Sequence, residues 1–243
     1  MSSTATTITA LGHASFKVVT PDGKVILVDP WINGNPVFPE ALKDDLKANL
    51  ILITHGHGDH MDVEWLKASA MDTNIRIAAQ AQVRTYLTTL GFKNFEGINT
   101  GGTIDVQGLK ISMTLAYHSS QINLPDGTTG YTHEAIGYVL TTSDTSIYFA
   151  GDTALFGDMQ LIKEIYHPKI AVLPIGDRVT MGPREAAYAT KLLGVSHVIP
   201  MHYGTFPFLT GTAEMLVDAV KDQPNVKIHA LKAGETLNTA DCE

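Results

Sequence analysis

Short runs of apolar and β-branched residues recur along the chain, and their length is typical of strands rather than of helices. We predict strands at Thr7–Leu11, Ser15–Val19, Val25–Val28, Leu50–Ile53, Ile75–Ala78, Leu109–Ala116, Ile136–Leu140, Ser146–Ala150, Ile170–Leu173, His197–Pro200 and Val226–Ala230. Pro21-Asp22-Gly23 separates two of these runs. It predicts a hairpin turn, because proline presets φ and glycine accepts the left-handed conformation.

Between the strands, apolar residues repeat at intervals of three or four, which predicts amphipathic helices. The repeats lie at Leu42/Leu46, Val63/Leu66, Val83/Tyr86/Leu87/Leu90, Leu155–Ile165, Ala186–Leu193 and Met215–Val220. Asp62 is a predicted N-cap and Gly91 a predicted C′ residue. This order of elements indicates two packed sheets with helices on their outer faces, and functional loops gathered along one edge. We expect a single domain over residues 1–243.

Composition and charge narrow the class of protein. The chain carries 17 basic and 25 acidic side chains, a formal net charge of −8, which disfavours nucleic acid as the main partner. No apolar run approaches the roughly 18 residues that span a bilayer, and Met1–Thr7 lacks the pattern of a secretory signal. We therefore expect a cytoplasmic protein away from membranes. Because Cys242 is the only cysteine, we expect neither an intramolecular disulfide nor a thiolate metal site.

The densest group of chemically active residues follows the apolar strand Leu50–Ile53. His55, His57, Asp59 and His60 are spaced by Gly56 and Gly58. In an extended backbone His55 and His57 face the same side, and the glycines remove bulk so that the backbone can turn tightly. A loop that only caps the next helix needs one Asp or Ser. This set instead indicates a metal site, and its nitrogen and oxygen donors suit zinc, manganese, iron or nickel.

Other predicted strands also end in a histidine or an aspartate. His118, Asp152 and His202 each follow an apolar run. Taken singly, such a residue is more often a cap or a turn residue. Their common placement at strand ends indicates that they complete one metal site.

These residues carry a resemblance. The string His55–His60, followed by a distal His, Asp and His, resembles the signature of the metallo-β-lactamase superfamily. More narrowly, Leu11–Phe16, Asp29-Pro30, Ile175–Asp177 and Thr180–Pro183 resemble the branch of small bacterial metal-dependent hydrolases related to L-ascorbate-6-phosphate lactonase. The resemblance implies an α/β fold, a four-layer αβ/βα sandwich of two mixed sheets with helices on the outer faces.

Carried over residue by residue, the resemblance implies a dinuclear centre. His55, His57 and His118 would hold one ion, Asp59, His60 and His202 the second, and Asp152 would bridge them. We expect two divalent ions, zinc first and manganese as the alternative, whose shared water has a pKa lowered towards about 7. The resulting hydroxide would attack a small ester, lactone or phosphoester, with Asp59 and His13 as the catalytic side chains. His13 could bind the substrate, protonate the leaving group or simply pack.

Several neighbouring residues keep alternative interpretations. Asp29 either accepts a proton from a ligating imidazole or is a turn residue before Pro30. Arg178 either binds an anionic group of the substrate or, as we favour, pairs structurally with Asp177. Aromatic loop residues either wall a pocket or pack, namely Trp31, Phe38, Tyr203 and Phe206. The histidines that match no ligand position are expected on the surface or in strands, namely His133, His167, His197 and His229.

Other functions remain open at this stage. The same metal pair supports ribonuclease or phosphodiesterase activity, although the chain has no basic insertion that would grip RNA. A mononuclear iron dioxygenase is a further alternative, as is a metal-binding protein without catalysis. The flavodiiron proteins resemble this site but place Glu where His57 stands. We expect a small-molecule substrate, and the apolar loops leave room for a homo-oligomer.

Overall fold

The fold was analysed in a computed structural model that describes residues 5–71, 73–124, 126–131 and 134–242. In these ranges the strands form two seven-stranded sheets and one two-stranded ribbon. The ribbon pairs β9 (Gln121–Asn123) with β10 (Thr129–Tyr131) in antiparallel fashion. No helix in this part of the chain is long and apolar enough to cross a membrane.

The first sheet contains the N-terminal strands and one strand from the C-terminal end. Its order is β16-β1-β2-β3-β4-β5-β6, antiparallel from β16 to β3 and parallel from β3 to β6. The strands are β1 (Thr7–Gly12), β2 (Ser15–Val19), β3 (Val25–Val28), β4 (Leu50–Ile53), β5 (Arg76–Ala79), β6 (Phe95–Glu96) and β16 (Thr236–Asn238). Helices α1 (Val63–Ala70) and α2 (Ala81–Thr89) provide the connections that the parallel strands require.

The second sheet repeats this arrangement. Its order is β7-β8-β11-β12-β13-β14-β15, antiparallel from β7 to β12 and parallel from β12 to β15. The strands are β7 (Thr103–Val106), β8 (Leu109–Leu115), β11 (Ile136–Thr141), β12 (Ser146–Phe149), β13 (Ile170–Pro174), β14 (His197–Met201) and β15 (Lys227–Ile228). Its connecting helices are α3 (Met159–Tyr166), α4 (Pro183–Leu193) and α5 (Ala213–Ala219).

Three apolar layers hold these elements together. The central layer joins the two sheets, with Val18 and Leu50 of the first packed in one cluster with Tyr138 and Val172 of the second. A second layer lies between the first sheet and helices α1 and α2, and a third between the second sheet and helices α3 to α5. This is the α/β four-layer sandwich of two mixed sheets that the sequence predicted.

The predicted strands are all found, with ends that differ by a residue or two. The hairpin at Pro21-Asp22-Gly23 is confirmed, since Gly23 has φ +83° and its N–H donates to the Thr20 carbonyl. Asp62 caps α1 by accepting from the Trp65 N–H at 2.9 Å, and Gly91 has φ +102° after α2. The helical repeat at Leu42/Leu46 is instead a 3₁₀ turn, Glu40–Asp45.

Candidate metal centre

The predicted ligands come together at one edge of the sandwich. His55, His57, Asp59 and His60 lie in the loop that follows β4, the last strand before α1. The distal ligands His118, Asp152 and His202 follow β8, β12 and β14 of the second sheet. The site therefore stands where the two sheets meet, as the common placement at strand ends predicted.

Asp152 lies at the middle of this group. Its Oδ2 atom is 3.1 Å from His202 Nε2, 3.6 Å from His118 Nε2 and 4.0 Å from His55 Nε2. Its Oδ1 atom is 3.3 Å from His60 Nε2. A carboxylate with this reach can contact ligands on both sides of the centre, which is the geometry that a bridging role needs.

The first half of the centre is a group of imidazoles. One donor atom each from His55, His57 and His118 lies within 4.8 Å of the others, and His55 Nε2 is 2.9 Å from His57 Nδ1. Burial lowers the pKa of all these rings, and the neighbouring His60 lowers that of His55 further. They are therefore neutral at pH 7, which leaves nitrogen lone pairs for a cation.

Asp29 and Thr54 set the proton positions on two of the ligands. Asp29 is 1% exposed and accepts from the Thr54 N–H at 2.7 Å, the Thr54 hydroxyl at 2.6 Å and His60 Nδ1–H at 2.8 Å. Since the Thr54 proton is given to Asp29, the Thr54 oxygen accepts from His55 Nδ1–H at 3.0 Å. The prediction that Asp29 accepts a proton from an imidazole is confirmed. With Nδ1 donating on both rings, Nε2 of each is the atom that faces the centre.

His13 lies inside the second half of the centre. One donor atom each from His13, Asp59, His60 and His202 lies within 4.8 Å of the others. His13 Nε2 is 3.2 Å from Asp59 Oδ2, and its Nδ1 is 2.9 Å from the Thr205 hydroxyl. Because a carboxylate only accepts, Nε2 carries the proton and Nδ1 accepts from Thr205.

Burial and the hydrogen bond between His13 and Asp59 set the charges of these two side chains. Burial lowers the pKa of His13 to about 4, so the ring is neutral at pH 7. Burial raises the pKa of Asp59, but the hydrogen bond from His13 and the positive charge on His60 outweigh it, so the net pKa lies below its ordinary value. His13 therefore orients a permanently ionised Asp59. Sequence reasoning placed His13 near the metals, but the strand register that brings it to Asp59 cannot be seen along the chain.

The two glycines of the loop differ in what they do. A Cβ on Gly56 would lie 2.6 Å from Ile122 Cγ2 and 2.8 Å from the Gln121 carbonyl oxygen, so β9 packs directly on this residue. A Cβ on Gly58 meets nothing within 4 Å, and Gly58 has no positive φ. The expectation that both glycines are needed to remove bulk is confirmed for Gly56 and wrong for Gly58.

Left-handed backbone marks the loops around the site. Non-glycine residues with positive φ include His13 (+58°), Asp29 (+46°) and His202 (+55°). The N–H of His202 donates to the His13 carbonyl at 3.0 Å, which joins two of these strained positions. Such conformations cost about 1–3 kcal/mol each and persist where the surrounding contacts hold them. Their concentration here supports the site as the functional one.

Asp177 and Arg178 also have positive φ, +63° and +58°. Asp177 Oδ1 accepts from the backbone N–H of Arg178 at 2.7 Å. Both residues are exposed. Among the described contacts, Asp177 therefore binds the backbone of Arg178, and the pair between the two side chains that we favoured is not found.

The aromatic loop residues divide into two groups. Trp31 and Phe206 lie against His13, with ring centroids 5.3 and 5.6 Å from it, and Phe208 stacks on Phe206 at 5.4 Å. A cavity of about 420 Å³ opens beside His13 and is lined in part by Tyr203. Phe38 packs in the apolar layer of α1 and α2, which is the second of its two interpretations.

The other described histidines lie away from this centre. His167 is the exposed left-handed cap of α3. His197 begins β14, and its Nδ1 atom is 2.9 Å from Nε2 of His229, which follows β15. His133 lies outside the described residues.

The donor set fits a metal centre. His60 Nε2 and Asp152 Oδ1 are buried and face each other at 3.3 Å without a hydrogen bond, and His202 Nδ1 has no partner in the described part of the chain. The ion pairs that the structure shows for Asp29, Asp59 and Asp152 are all with histidines. Asp29 and Asp152 are buried, and a bound cation would compensate their charge, because burying charge without compensation costs several kcal/mol.

Comparison with known proteins agrees with this fold and with a metal-dependent activity. The beta-lactamase superfamily domain matches residues 24–203. A UPF0173 metal-dependent hydrolase of Rubrobacter xylanophilus is 46% identical over 236 residues, covering 96% of this chain and 97% of the relative. Another from Methanopyrus kandleri is 42% identical, covering 94% and 98%.

A solved structure extends the agreement to three dimensions. Igni18, described as a novel metallo hydrolase from Ignicoccus hospitalis, superposes with a TM-score of 0.82 at 34% identity, covering 96% of this chain and 98% of that one. The chain therefore belongs to the metallo-β-lactamase superfamily and, within it, to the UPF0173 metal-dependent hydrolases.

Proposed function

We propose that this chain hydrolyses a small ester, lactone or phosphoester at a centre of two divalent metal ions held by His55, His57, His118, Asp59, His60, His202 and Asp152. Zinc is the first choice of metal and manganese the alternative, since the donors are imidazoles and carboxylates. When bound, the ions supply Lewis acidity that lowers the pKa of a water and neutralises negative charge in the transition state.

The observation that carries the proposal is the position of His60 between two buried aspartates. Its Nδ1–H donates to Asp29, so its Nε2 lone pair faces the Asp152 carboxylate at 3.3 Å. A lone pair opposite a carboxylate is unfavourable unless a cation lies between them. In the metal-free protein, a second proton on the His60 ring takes the place of that cation. Burial lowers the pKa of His60, but the charges of Asp152 and Asp29 outweigh burial and raise this pKa well above its ordinary value. We infer that metal binding displaces this proton.

His13 and Asp59 then have distinct tasks. Asp59 keeps its charge at every working pH and has a side chain 28% exposed, so it lies on the side from which a substrate arrives. Its depressed pKa makes it a poor base but a good anionic ligand. His13 is a positioning residue in this proposal, since its Nε2–H is committed to Asp59 and its Nδ1 to Thr205.

The neighbouring surface favours a substrate with an apolar part. Trp31 and Phe206 lie against His13, and the stacked Phe208 is 45% exposed. This aromatic surface suits a small neutral or weakly charged molecule better than a polyanion, as does the formal charge of −8. The narrower relation to L-ascorbate-6-phosphate lactonase stays a prediction, for which a lactone is the natural first substrate.

The test is metal content per chain by elemental analysis, with turnover of a generic lactone and a generic phosphodiester. We expect at least two ions per chain in the wild type, a marked loss in Asp152→Ala, and turnover that disappears with chelator and returns with zinc or manganese. The matched control is Asp158→Ala, an exposed aspartate at the start of α3, which should leave both measurements unchanged. A single iron per chain would favour oxygen chemistry, and no bound metal after zinc or manganese addition would refute the proposal.

A further inference from the structure

A second group of metal-ligating side chains lies on the second sheet, away from the centre described above. One ring nitrogen each of His197 and His229 and the Cys242 sulfur lie within 4.8 Å of one another. His197 begins β14 and His202 follows its end, so at about 3.3 Å per residue the two groups are roughly 16 Å apart. This group, the His197–His229–Cys242 cluster, is therefore separate from the candidate metal centre.

The register of the parallel strands brings the two histidines together. His197 pairs with Lys227, and the His229 N–H donates to the Val198 carbonyl at 2.8 Å. Side chains two residues apart on a strand share a face, so His229 lies on the same face as Lys227 and His197. This is also the face of Ile199, which packs in the layer between the sheets.

The C-terminal turn delivers the thiol to the same face. Cys242 ends a 3₁₀ turn and is 2% exposed within that layer. The turn is fixed by Thr239, whose N–H donates to the Thr6 carbonyl at 2.9 Å and whose hydroxyl donates to Asp144 at 2.9 Å. The thiol is thus held against the sheet by the contacts of Thr239 and by a hydrogen bond between the His197 ring and the Cys242 backbone.

We propose that the His197–His229–Cys242 cluster binds one thiophilic metal ion of the zinc type through two imidazoles and a thiolate. Two histidines and one cysteine form a ligand set that zinc accepts, with a fourth position for water. His197 Nδ1 and His229 Nε2 are 2.9 Å apart, against roughly 3.3 Å for two nitrogens of a tetrahedral zinc site. Metal entry therefore requires a small separation of the rings, loss of the proton between them and loss of the thiol proton.

The surroundings of the cluster keep its imidazoles neutral, and two nearby lysines favour the thiolate while opposing a cation. Burial lowers the pKa of both histidines, to about 4 for His229, so both rings are neutral at pH 7. Burial raises the pKa of the Cys242 thiol, whereas the positive charges of Lys169 and Lys227 oppose that rise. A bound cation and a thiolate form together, so metal binding releases protons. From the sequence we expected no thiolate metal site, because a single cysteine cannot hold a metal ion alone. In this cluster, two histidines that are distant in the sequence supply the other ligands.

Cobalt provides a specific test, because Cys242 is the only cysteine and the other centre has no sulfur ligand. Purified protein, kept reduced with a phosphine, is titrated with Co²⁺ and its near-ultraviolet thiolate-to-cobalt charge-transfer absorption is recorded. We expect the band at one equivalent in the wild type and equally in Asp152→Ala, which separates this site from the hydrolytic centre. It should vanish in Cys242→Ser and in His197→Asn, and each of these should bind one zinc fewer per chain.

The matched control is His167→Asn, an exposed histidine outside the cluster, which should keep the full band. Thermal melting of the metal-free variants reports whether each still folds, and His229→Asn provides a second ligand variant if His197→Asn does not. Absence of the band in the wild type with excess Co²⁺ would overturn the proposal. So would a band of full strength in both histidine variants, since the thiol would then bind cobalt without the cluster.

Discussion

Asp29→Asn is the substitution that most directly tests how the candidate centre is organised. Asparagine tolerates the left-handed backbone of this position, where φ is +46°, so the loop should keep its course. The amide oxygen can still accept from the Thr54 N–H, as Oδ1 does now at 2.7 Å. The amide nitrogen, however, replaces the oxygen that accepts from the Thr54 hydroxyl and from His60 Nδ1–H.

The expected consequence is a change of tautomer at His60. Because the new amide donates, His60 Nδ1 must accept, and the ring proton moves to Nε2, which faces Asp152 at 3.3 Å. A protonated Nε2 cannot bind a metal ion. Loss of such an outer partner typically costs 10–100-fold in metal affinity, about 1.4–2.7 kcal/mol. We expect a loss at the upper end of this range, since Asp29 also orders Thr54 and through it His55.

The assay is competition for zinc between the protein and a chelating indicator, with thermal melting of the metal-free protein as the test of folding. Asp62→Asn is the matched control, because Asp62 is also a buried aspartate that accepts backbone N–H groups, those of Ile32 and Trp65. It should lower the free energy of unfolding by about 1 kcal/mol and leave zinc affinity unchanged. Wild-type zinc affinity in a folded Asp29→Asn protein, or an equal loss in Asp62→Asn, would refute this reasoning.

Two further predictions follow from the loop and from His13. Gly56→Ala should lower the free energy of unfolding by about 1–3 kcal/mol and weaken metal binding, because the new Cβ would lie 2.6 Å from a side chain of β9. Gly58→Ala, whose Cβ meets nothing within 4 Å, should do neither. Urea unfolding and zinc titration compare the two variants, and equal effects would contradict the packing at Gly56. For His13, the pKa of about 4 lies below the ordinary 6.5. Between these pH values the unfolded chain binds a proton that the folded, metal-free chain does not, so the free energy of unfolding decreases as the pH is lowered from 6.5 to about 4, by about 3 kcal/mol from this residue. His13→Gln should flatten that slope in urea titrations, and an unchanged slope would show that His13 is not the group responsible.

Much of the fold could be predicted because strand and helix periods are local properties of the sequence. The missed strands are short or polar ones whose pairing depends on distant partners, namely β6, β7, β9, β10 and β16. Helix α3 begins at Met159 rather than in the repeat from Leu155, because the segment before it forms a loop whose Phe156 packs on Tyr117. A periodic pattern alone does not distinguish such a packed loop from a helical turn.

The candidate centre shows the same division between local and distant information. His55, His57, Asp59 and His60 are close in sequence, and their spacing alone indicates a metal site. The hydrogen bond from His13 to Asp59 spans 46 positions and depends on strand order. The contact of His197 with His229 depends on the register of two parallel strands. Sequence patterns predict which residue types are available, whereas register decides which of them meet.

The repeated topology of the two sheets explains why His60 lies between two aspartates. In the described residues each sheet has three antiparallel strand pairs followed by three parallel pairs, so β3, the fourth strand of the first sheet, corresponds to β12 of the second. Asp29 follows β3 and Asp152 follows β12, at matching places in the two halves.

These matching aspartates approach the same imidazole from opposite sides. Asp29 accepts the Nδ1 proton of His60 at 2.8 Å, while Asp152 faces its Nε2 atom at 3.3 Å. One half of the fold thus sets the tautomer, and in the proposed centre the other would share the cation. Because the proposed ligands come from both sheets, a bound metal would tie the halves together, and separating the sheets would also dismantle the centre. The same packing that buries the apolar layer between the sheets therefore also sets the geometry of the site.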